Sequence, residues 1–254
     1  MRLCVIGNSH IAALKLGWDQ LKAKGQAPDL TPVFFGAPSD GVRHLRAENG
    51  RLTPKRKDIA EHFQRMGGAD HIVLDDYEAF FLIGLNVSVK RILRFYKSHA
   101  WVGLKGTEGK GLVHPGFARD FLTERYADTL MGVTAGHLQG RKVLALAEPL
   151  WAEWIRAGAK GVPDYGWEAA ISAGDGDAIG QMFRDTVAAS LPPHAQFLPQ
   201  PAVTVAHGIT TRLAYNKDAS RLISGEGGGT DAAHMNGDFG AAIWPEVLPA
   251  LQRM

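Results

Sequence analysis

Three side chains near opposite ends of the 254-residue chain could together carry out nucleophilic chemistry. Ser9 follows Gly7-Asn8 near the start, and Asp231 and His234 stand close together near the end. A serine hydroxyl is a weak nucleophile until a base removes its proton, and histidine is the usual base. A carboxylate commonly fixes the tautomer and orientation of that histidine. If the fold brings the two segments together, the chemistry is attack of a serine oxygen on an electrophilic carbon.

Each of these residues has a simpler explanation when it is considered alone. Serine is a common N-cap, so Ser9 could merely begin a helix. Asp231 could cap a helix in the same way, and His234 could be an ordinary surface residue. On its own, Ser9 is better explained as a cap than as a nucleophile, so the hypothesis depends on partners elsewhere in the chain.

Two further segments could stabilise a developing negative charge. Gly36 and Gly84-Leu85-Asn86 come directly after apolar runs that predict the second and third strands. An asparagine amide can donate a hydrogen bond to an oxyanion, and glycine lets the backbone turn tightly at the end of a strand. Glycine and asparagine are equally common in turns without function, so these segments are ambiguous by themselves.

The elements that must position these residues follow from hydrophobic periodicity. We expect strands over 3–6, 33–35, 79–83, 142–147 and 195–198. We expect helices over 11–24, 54–66, 89–96, 117–138, 177–189 and 241–251, and loops over 37–54, 102–116 and 156–177. Alternating strands and helices predict an α/β fold in which helices cover both faces of a parallel sheet. Ligands of such sheets bind beyond the carboxyl ends of the strands, where Ser9, Gly36 and Asn86 stand.

Composition places the chain among ordinary globular proteins with one core. The net charge is +2, from 28 basic and 26 acidic residues, so the composition lacks the basic surplus that indicates nucleic-acid binding. The single cysteine, Cys4, lies in an apolar run that favours a buried thiol and offers neither a disulfide nor a metal cluster. No segment reads as a signal peptide or a membrane span, so we expect a soluble, cytoplasmic protein without membrane contacts.

The glycine-rich segment 225–230 directly precedes Asp231. It lacks the lysine of a phosphate-binding loop and does not follow a clear strand. The pattern favours a flexible loop that delivers Asp231 and His234 to the site.

Taken together and in order, these segments resemble the SGNH (GDSL-like) hydrolase family. That family carries a Gly-Asp-Ser-like stretch after the first strand, a glycine after the second, Gly-x-Asn-Asp after the third and Asp-x-x-His near the end. This chain departs from the pattern at Asn8 and at Val87, each of which stands where aspartate is usual. Gly41 competes with Gly36 for the second position. The matching segments span nearly the whole chain, and their combination is more specific than any one of them.

The resemblance implies a single domain over 1–254, a flavodoxin-like three-layer sandwich around a parallel sheet of about five strands, with loop insertions near 37–54, 102–116 and 156–177. It implies Ser9 as nucleophile, His234 as base and Asp231 as its partner. The backbone N–H groups of Ser9 and Gly36 and the Asn86 amide are then the expected oxyanion hole. The reaction expected is hydrolysis of a small acyl ester, for example an acetyl ester of a carbohydrate, without metal or cofactor. Acyl transfer or thioester cleavage by the same triad, and a non-catalytic binding module on the same fold, stay open.

Basic residues near the expected site could bind substrate. Lys90, Arg91, Arg94 and Lys97 recur at helical spacing after the Gly-x-Asn segment. A solvated helix face explains them best, and an anionic substrate held by Arg91 and Arg94 is the functional alternative. His10, next to Ser9, could line the pocket or cap its helix.

Overall fold

Fourteen strands occur in the part of the chain that the structure, a computed structural model, describes: residues 1–38, 40–157, 162–221, 225–226 and 231–254. They are β1 (Arg2–Gly7), β2 (Thr31–Gly36), β3 (Leu45–Glu48), β4 (Arg51–Pro54), β5 (Ile72–Val73), β6 (Ala79–Gly84), β7 (His99–Trp101), β8 (Gly111–Val113), β9 (Val143–Ala147), β10 (Ala195–Phe197), β11 (Val205–Ala206), β12 (Thr210–Thr211), β13 (Ser220–Arg221) and β14 (Gly225–Glu226). The central sheet has the order β10-β9-β6-β1-β2, and all of its pairings are parallel. Counted along the chain this is the order 2-1-3-4-5 of flavodoxin-like folds. The predicted parallel sheet of five strands is confirmed.

Helices cover both faces of this sheet. They are α1 (Ile11–Ala23), α2 (Lys57–Gly67), α3 (Lys90–Ser98), α4 (Pro115–Ala127), α5 (Leu130–Gly136), α6 (Trp167–Ser172), α7 (Gly176–Ser190) and α8 (Gly237–Gln252). Side chains of α1 and α8 pack against one face, and those of α2 to α7 pack against the other. Within β1, Leu3 and Val5 point to the first face and Cys4 and Ile6 to the second, because successive side chains of a strand alternate. The result is the three-layer α/β sandwich that the sequence predicts.

Three segments predicted as loops contain regular structure. Within 37–54, residues 45–54 form the β3–β4 hairpin, which pairs with β5, so α2 begins after Pro54 rather than at it. The segment 102–116 contains β8, and the described part of 156–177 contains α6. Short elements with weak periodicity explain these errors, since the hairpin strands have only four residues each.

The predicted long helix over 117–138 is wrong, because two helices meet there. Thr129 adopts an extended conformation between α4 and α5. Its hydroxyl and its N–H both donate to the carbonyl of Tyr126, at 2.6 and 3.1 Å, which ends α4. The last helix begins at Gly237, earlier than predicted.

The helices α1 and α8 pack against each other almost backbone to backbone. A Cβ on Gly240 would lie 1.9 Å from the Ala13 carbonyl oxygen, and one on Gly17 would lie 2.2 Å from the Ala241 nitrogen. The Trp244 indole N–H donates to the Leu14 carbonyl at 2.8 Å. Because α1 follows Ser9 and α8 follows His234, this contact brings the two ends of the chain to one edge of the sheet.

Candidate active site

Ser9 lies in the turn between β1 and α1, which we call the nucleophile turn (residues 7–10). Gly7 ends β1 so close to β6 that a Cβ would lie 2.4 Å from the Ile83 Cγ2 atom. The N-cap of α1 is His10, not Ser9, so the simple cap explanation of Ser9 is wrong. Among the described residues the Ser9 N–H has no hydrogen-bond partner. It lies at the N-terminal end of α1, and the N-terminus of a helix favours negative charge.

Asp231 and His234 lie in a second turn, which leads into α8 and which we call the base turn (residues 231–236). Asp231 Oδ1 accepts hydrogen bonds from the N–H groups of Ala233 and His234, at 3.1 and 3.3 Å. This local turn aims the His234 ring back at the carboxylate. Asn236 is the N-cap of α8, and its side chain accepts from the Phe239 N–H at 3.1 Å, so Asp231 is not a helix cap.

The two turns meet in a chain of hydrogen bonds between side chains. His234 Nδ1 donates to Asp231 Oδ2 at 2.9 Å, because the carboxylate can only accept. In a neutral ring Nε2 is then the acceptor, and the Ser9 hydroxyl lies 2.7 Å from it, within reach to donate. The Asp231 side chain is only 5% exposed and that of His234 15%, so the hydrogen bonds between these side chains are largely shielded from water. This arrangement can take a proton from Ser9.

Asn86 stands in the turn after β6, the strand that pairs with β1 on the side opposite β2. Gly84, Leu85 and Asn86 have positive φ angles of 78°, 47° and 65°, and the Val87 N–H closes the turn on the Gly84 carbonyl at 3.0 Å. Positive φ is costly for leucine, and such strain concentrates at functional sites. The turn also packs on the nucleophile turn, since a Cβ on Gly84 would lie 2.4 Å from Asn8 Oδ1. Asn86 itself is half-buried.

Gly36 does not present its N–H to Ser9. It pairs with Gly7 at the end of β2, and the next N–H, that of Ala37, donates to the Gly7 carbonyl at 3.1 Å. Because successive N–H groups of a strand point to opposite sides, the Gly36 N–H points outward from the sheet edge. The competing Gly41 N–H donates to the Pro38 carbonyl at 3.0 Å. The geometry therefore corrects the expectation that Gly36 completes the oxyanion hole.

His10 packs flat against the ring of His234. The ring centroids lie 4.9 Å apart, with an interplanar angle of 27°. Burial lowers the pKa of His10 to about 3, with the positive charge of Lys90 as a further cause. His10 Nδ1 is buried and has no hydrogen-bond partner among the described residues. A neutral ring here supports His234 and forms no side-chain cap on α1.

Basic residues of α3 divide into those that hold a neighbouring segment and those that do not. Arg94 packs on the Tyr165 ring, 4.8 Å from its centroid, and donates to the Tyr165 hydroxyl at 3.3 Å. Lys97 Nζ donates to the carbonyl and carboxylate oxygens of Asp164, both at 3.0 Å. Arg91 is half-buried, and its charge lowers the pKa of the Tyr126 hydroxyl against the stronger effect of burial. The alternative of a substrate role for Arg94 therefore competes with a structural role for its side chain.

One positioning residue of the site, Asn216, was missed in the sequence. Its amide Nδ2 donates to the carbonyls of Asp231 and His234, at 2.8 and 2.7 Å. Its Oδ1 accepts from the Trp154 indole N–H at 2.9 Å. Asn216 is buried, and it fixes both ends of the segment from Asp231 to His234. Its segment has no periodicity or motif, so no sequence signal could have found it.

The described residues contain no group of three or more His, Cys, Asp or Glu side chains that could hold a metal ion. In the described part of the chain, no helix has the length and apolar character needed to cross a membrane.

Of the glycine-rich segment 225–230, only 225–226 is described, as β14, and 227–230 lies outside the described residues. Comparisons with models of protein families, with curated proteins and with solved structures found no match to this chain.

Proposed function

We propose that this protein is a serine-dependent ester hydrolase of the SGNH type. Two contacts carry the proposal: Ser9 Oγ lies 2.7 Å from His234 Nε2, and His234 Nδ1 lies 2.9 Å from Asp231 Oδ2. Distances between about 2.6 and 3.2 Å are those expected of a nucleophile and its base. The three residues come from the two ends of the chain, and local structure alone does not explain why they meet.

In the proposed reaction, Ser9 Oγ attacks the acyl carbon while its proton passes to His234 Nε2. Asp231 holds the ring in the required tautomer and stabilises the imidazolium that forms. The tetrahedral intermediate collapses when His234 returns the proton to the leaving alkoxide, which leaves an acyl group on Ser9. Water, activated by the same histidine, then releases the acid.

The oxyanion in this scheme is bound by the Ser9 N–H and the Asn86 amide. The position of the Ser9 N–H supports this role, because this N–H lies at the beginning of α1 and has no partner among the described residues. Removing one such donor commonly costs about 100- to 1,000-fold in rate. Gly36 has no part in the scheme, because its N–H points away from β1.

A screen of small acyl esters tests the proposal, with the Ser9→Ala protein as blank. We expect hydrolysis of 4-nitrophenyl acetate by the natural protein and a fall to background in Ser9→Ala, whose thermal unfolding should be unchanged. Parallel assays with acyl thioesters and with added alcohols distinguish ester hydrolysis from thioester cleavage and acyl transfer. Equal activity of both proteins toward all of these substrates would refute the assignment.

A further inference from the structure

Lys90 donates no hydrogen bond to the described residues, a property it shares with Arg91. Arg94 and Lys97, by contrast, each donate to the segment 164–165. The Lys90 ammonium lies 4.8 Å from the Trp151 ring centroid and 5.9 Å from that of Tyr165. Its ion-pair partner Glu148 is 3.8 Å away, too far for a hydrogen bond. Among the described residues, no acceptor lies within hydrogen-bond distance of Lys90 Nζ, whereas Lys97 Nζ has two. The charge of Lys90 is thus held in place while its donors stay available.

The position of Lys90 is beside the catalytic edge of the sheet. It begins α3, shortly after Asn86. Glu148 directly follows β9, and its N–H donates to the Val87 carbonyl at 2.8 Å. Since β6 pairs with both β1 and β9, Glu148 stands two strands from the nucleophile turn, or roughly 10 Å.

The aromatic residues around Lys90 connect it to the base turn. Trp151 stacks on Trp167, with centroids 5.1 Å apart. The next residue, Ala152, donates its N–H to the Ala232 carbonyl at 2.8 Å, inside the base turn. The ammonium is therefore supported from the same segment that fixes Asp231 and His234.

Electrostatics agree with this placement. Burial is the main cause of the low pKa of His10, and the positive charge of Lys90 lowers that pKa further. Burial raises the pKa of Glu148, and the positive charges of Lys90 and Arg91 oppose that rise. Two cations, Lys90 and Arg91, thus act on the single carboxylate of Glu148.

We propose that the ester cleaved by Ser9 carries an anionic oxygen group, such as a carboxylate, sulfate or phosphate, which accepts hydrogen bonds from Lys90. This inference rests on the proposed function and names its substrate class. A lysine ammonium offers three donors and a compact charge, and its Coulomb attraction grows where water is partly excluded. The Trp151 and Tyr165 rings restrain the side chain before substrate arrives, which reduces the entropy lost on binding.

A pair of esters that differ in one charge tests the proposal. We would measure kcat/KM for 3-acetoxybenzoate and for the neutral 3-acetoxybenzamide. Lys90→Met keeps the aliphatic stem and removes the charge, and Lys97→Met removes one charge from the same helix as a matched control. A charged hydrogen bond is worth about 1.5–3 kcal/mol, so the ratio of the anionic to the neutral ester should fall about 10- to 100-fold in Lys90→Met, mainly through KM. Lys97→Met should keep the natural ratio.

An unchanged ratio in Lys90→Met, or an equal fall in Lys97→Met, would overturn the inference while leaving the hydrolase intact. The proposed function itself fails if the natural protein cleaves neither ester, or if Ser9→Ala cleaves both equally well. Should Lys90→Met not fold, the natural protein still decides. Inhibition of 3-acetoxybenzamide hydrolysis by 3-hydroxybenzoate should then exceed inhibition by 3-hydroxybenzamide at low salt. Equal inhibition would contradict the proposal.

Discussion

The nucleophile turn and the base turn meet within hydrogen-bond distance, but different interactions hold them. The nucleophile turn continues β1, which is paired on both sides by β2 and β6, so backbone hydrogen bonds of the core fix Ser9. In the described residues between α7 and the base turn all regular elements are short, and the base turn depends on amide side chains. Asn216 holds two of its carbonyls, and Asn236 donates to the carbonyls of Ala214 and Lys217 at 2.8 and 2.9 Å.

Because of this difference, the nucleophile turn and the base turn should respond differently to mutation. A single side chain contributes little to the position of Ser9, because many backbone bonds of the sheet share that task. A few side chains determine the position of His234. Point mutations in or beneath the base turn should therefore lower activity more than they lower stability.

The largest effect within the base turn is expected from Asp231→Asn. An amide at this position can still accept the N–H groups of Ala233 and His234 through its oxygen. Its NH2 group donates to His234 Nδ1, however, and so places the proton on Nε2, where it can no longer accept from Ser9. We expect kcat for 4-nitrophenyl acetate to fall about 10,000-fold, as for the same change in a serine protease.

The control for Asp231→Asn is its thermal unfolding, which should stay within a few degrees of the natural protein. A variant that unfolds normally and keeps more than a tenth of its activity would show that Asp231 does not orient the base.

The next largest effect is expected from Asn216→Ala, which leaves the carbonyls of Asp231 and His234 without their buried donor. We expect kcat to fall about 100-fold with KM little changed, since misplacement of a catalytic group by about 1 Å costs that much. Trp154→Phe removes only the indole donor to Asn216 and should cost less. A positioning role would be contradicted if KM of Asn216→Ala changed by as large a factor as kcat. A larger loss of kcat in Trp154→Phe than in Asn216→Ala would contradict it as well.

His10 provides a smaller, pH-dependent effect at the contact between the two turns. Its pKa in the folded protein, about 3, lies below the ordinary value of 6.5, so the unfolded chain binds more protons between these values. Stability should therefore fall as the pH drops from about 6.5 toward 3. Since each pH unit corresponds to about 1.4 kcal/mol, this residue should account for roughly 2 kcal/mol between pH 7 and pH 5.

The measurement is urea unfolding of the natural protein and of His10→Phe at both pH values. Phenylalanine keeps a flat ring against His234 and removes the titration, so the variant should lose less stability at pH 5. Identical losses in the two proteins would show that His10 does not carry this effect.

Much of the sheet could be predicted from the sequence because its strands are apolar without alternation, as strands buried on both faces are. Ser9 and Asn86 were found because each directly follows such a strand. Asp231 and His234 were found only as part of the family-like order of segments. The structure supplies the missing reason, which is the close packing of α1 on α8 at Gly17 and Gly240.

The features that the sequence did not predict depend on contacts between distant residues. Asn216 lies in an irregular segment, and its partners are backbone carbonyls that any residue could supply. The direction of the Gly36 N–H depends on the register between β1 and β2, which a glycine after a strand does not specify. The hairpin over 45–54 was missed because its strands, of four residues each, are too short to show a periodicity.

Covalent labelling tests most directly whether the two turns together activate Ser9. The natural protein would be treated with a fluorophosphonate, and the modified residue would be identified by mass spectrometry of its peptides. The account predicts stoichiometric modification of Ser9 in the natural protein and a much slower reaction in His234→Ala, with both proteins folded. Failure to modify Ser9, or equally fast modification in His234→Ala, would contradict it.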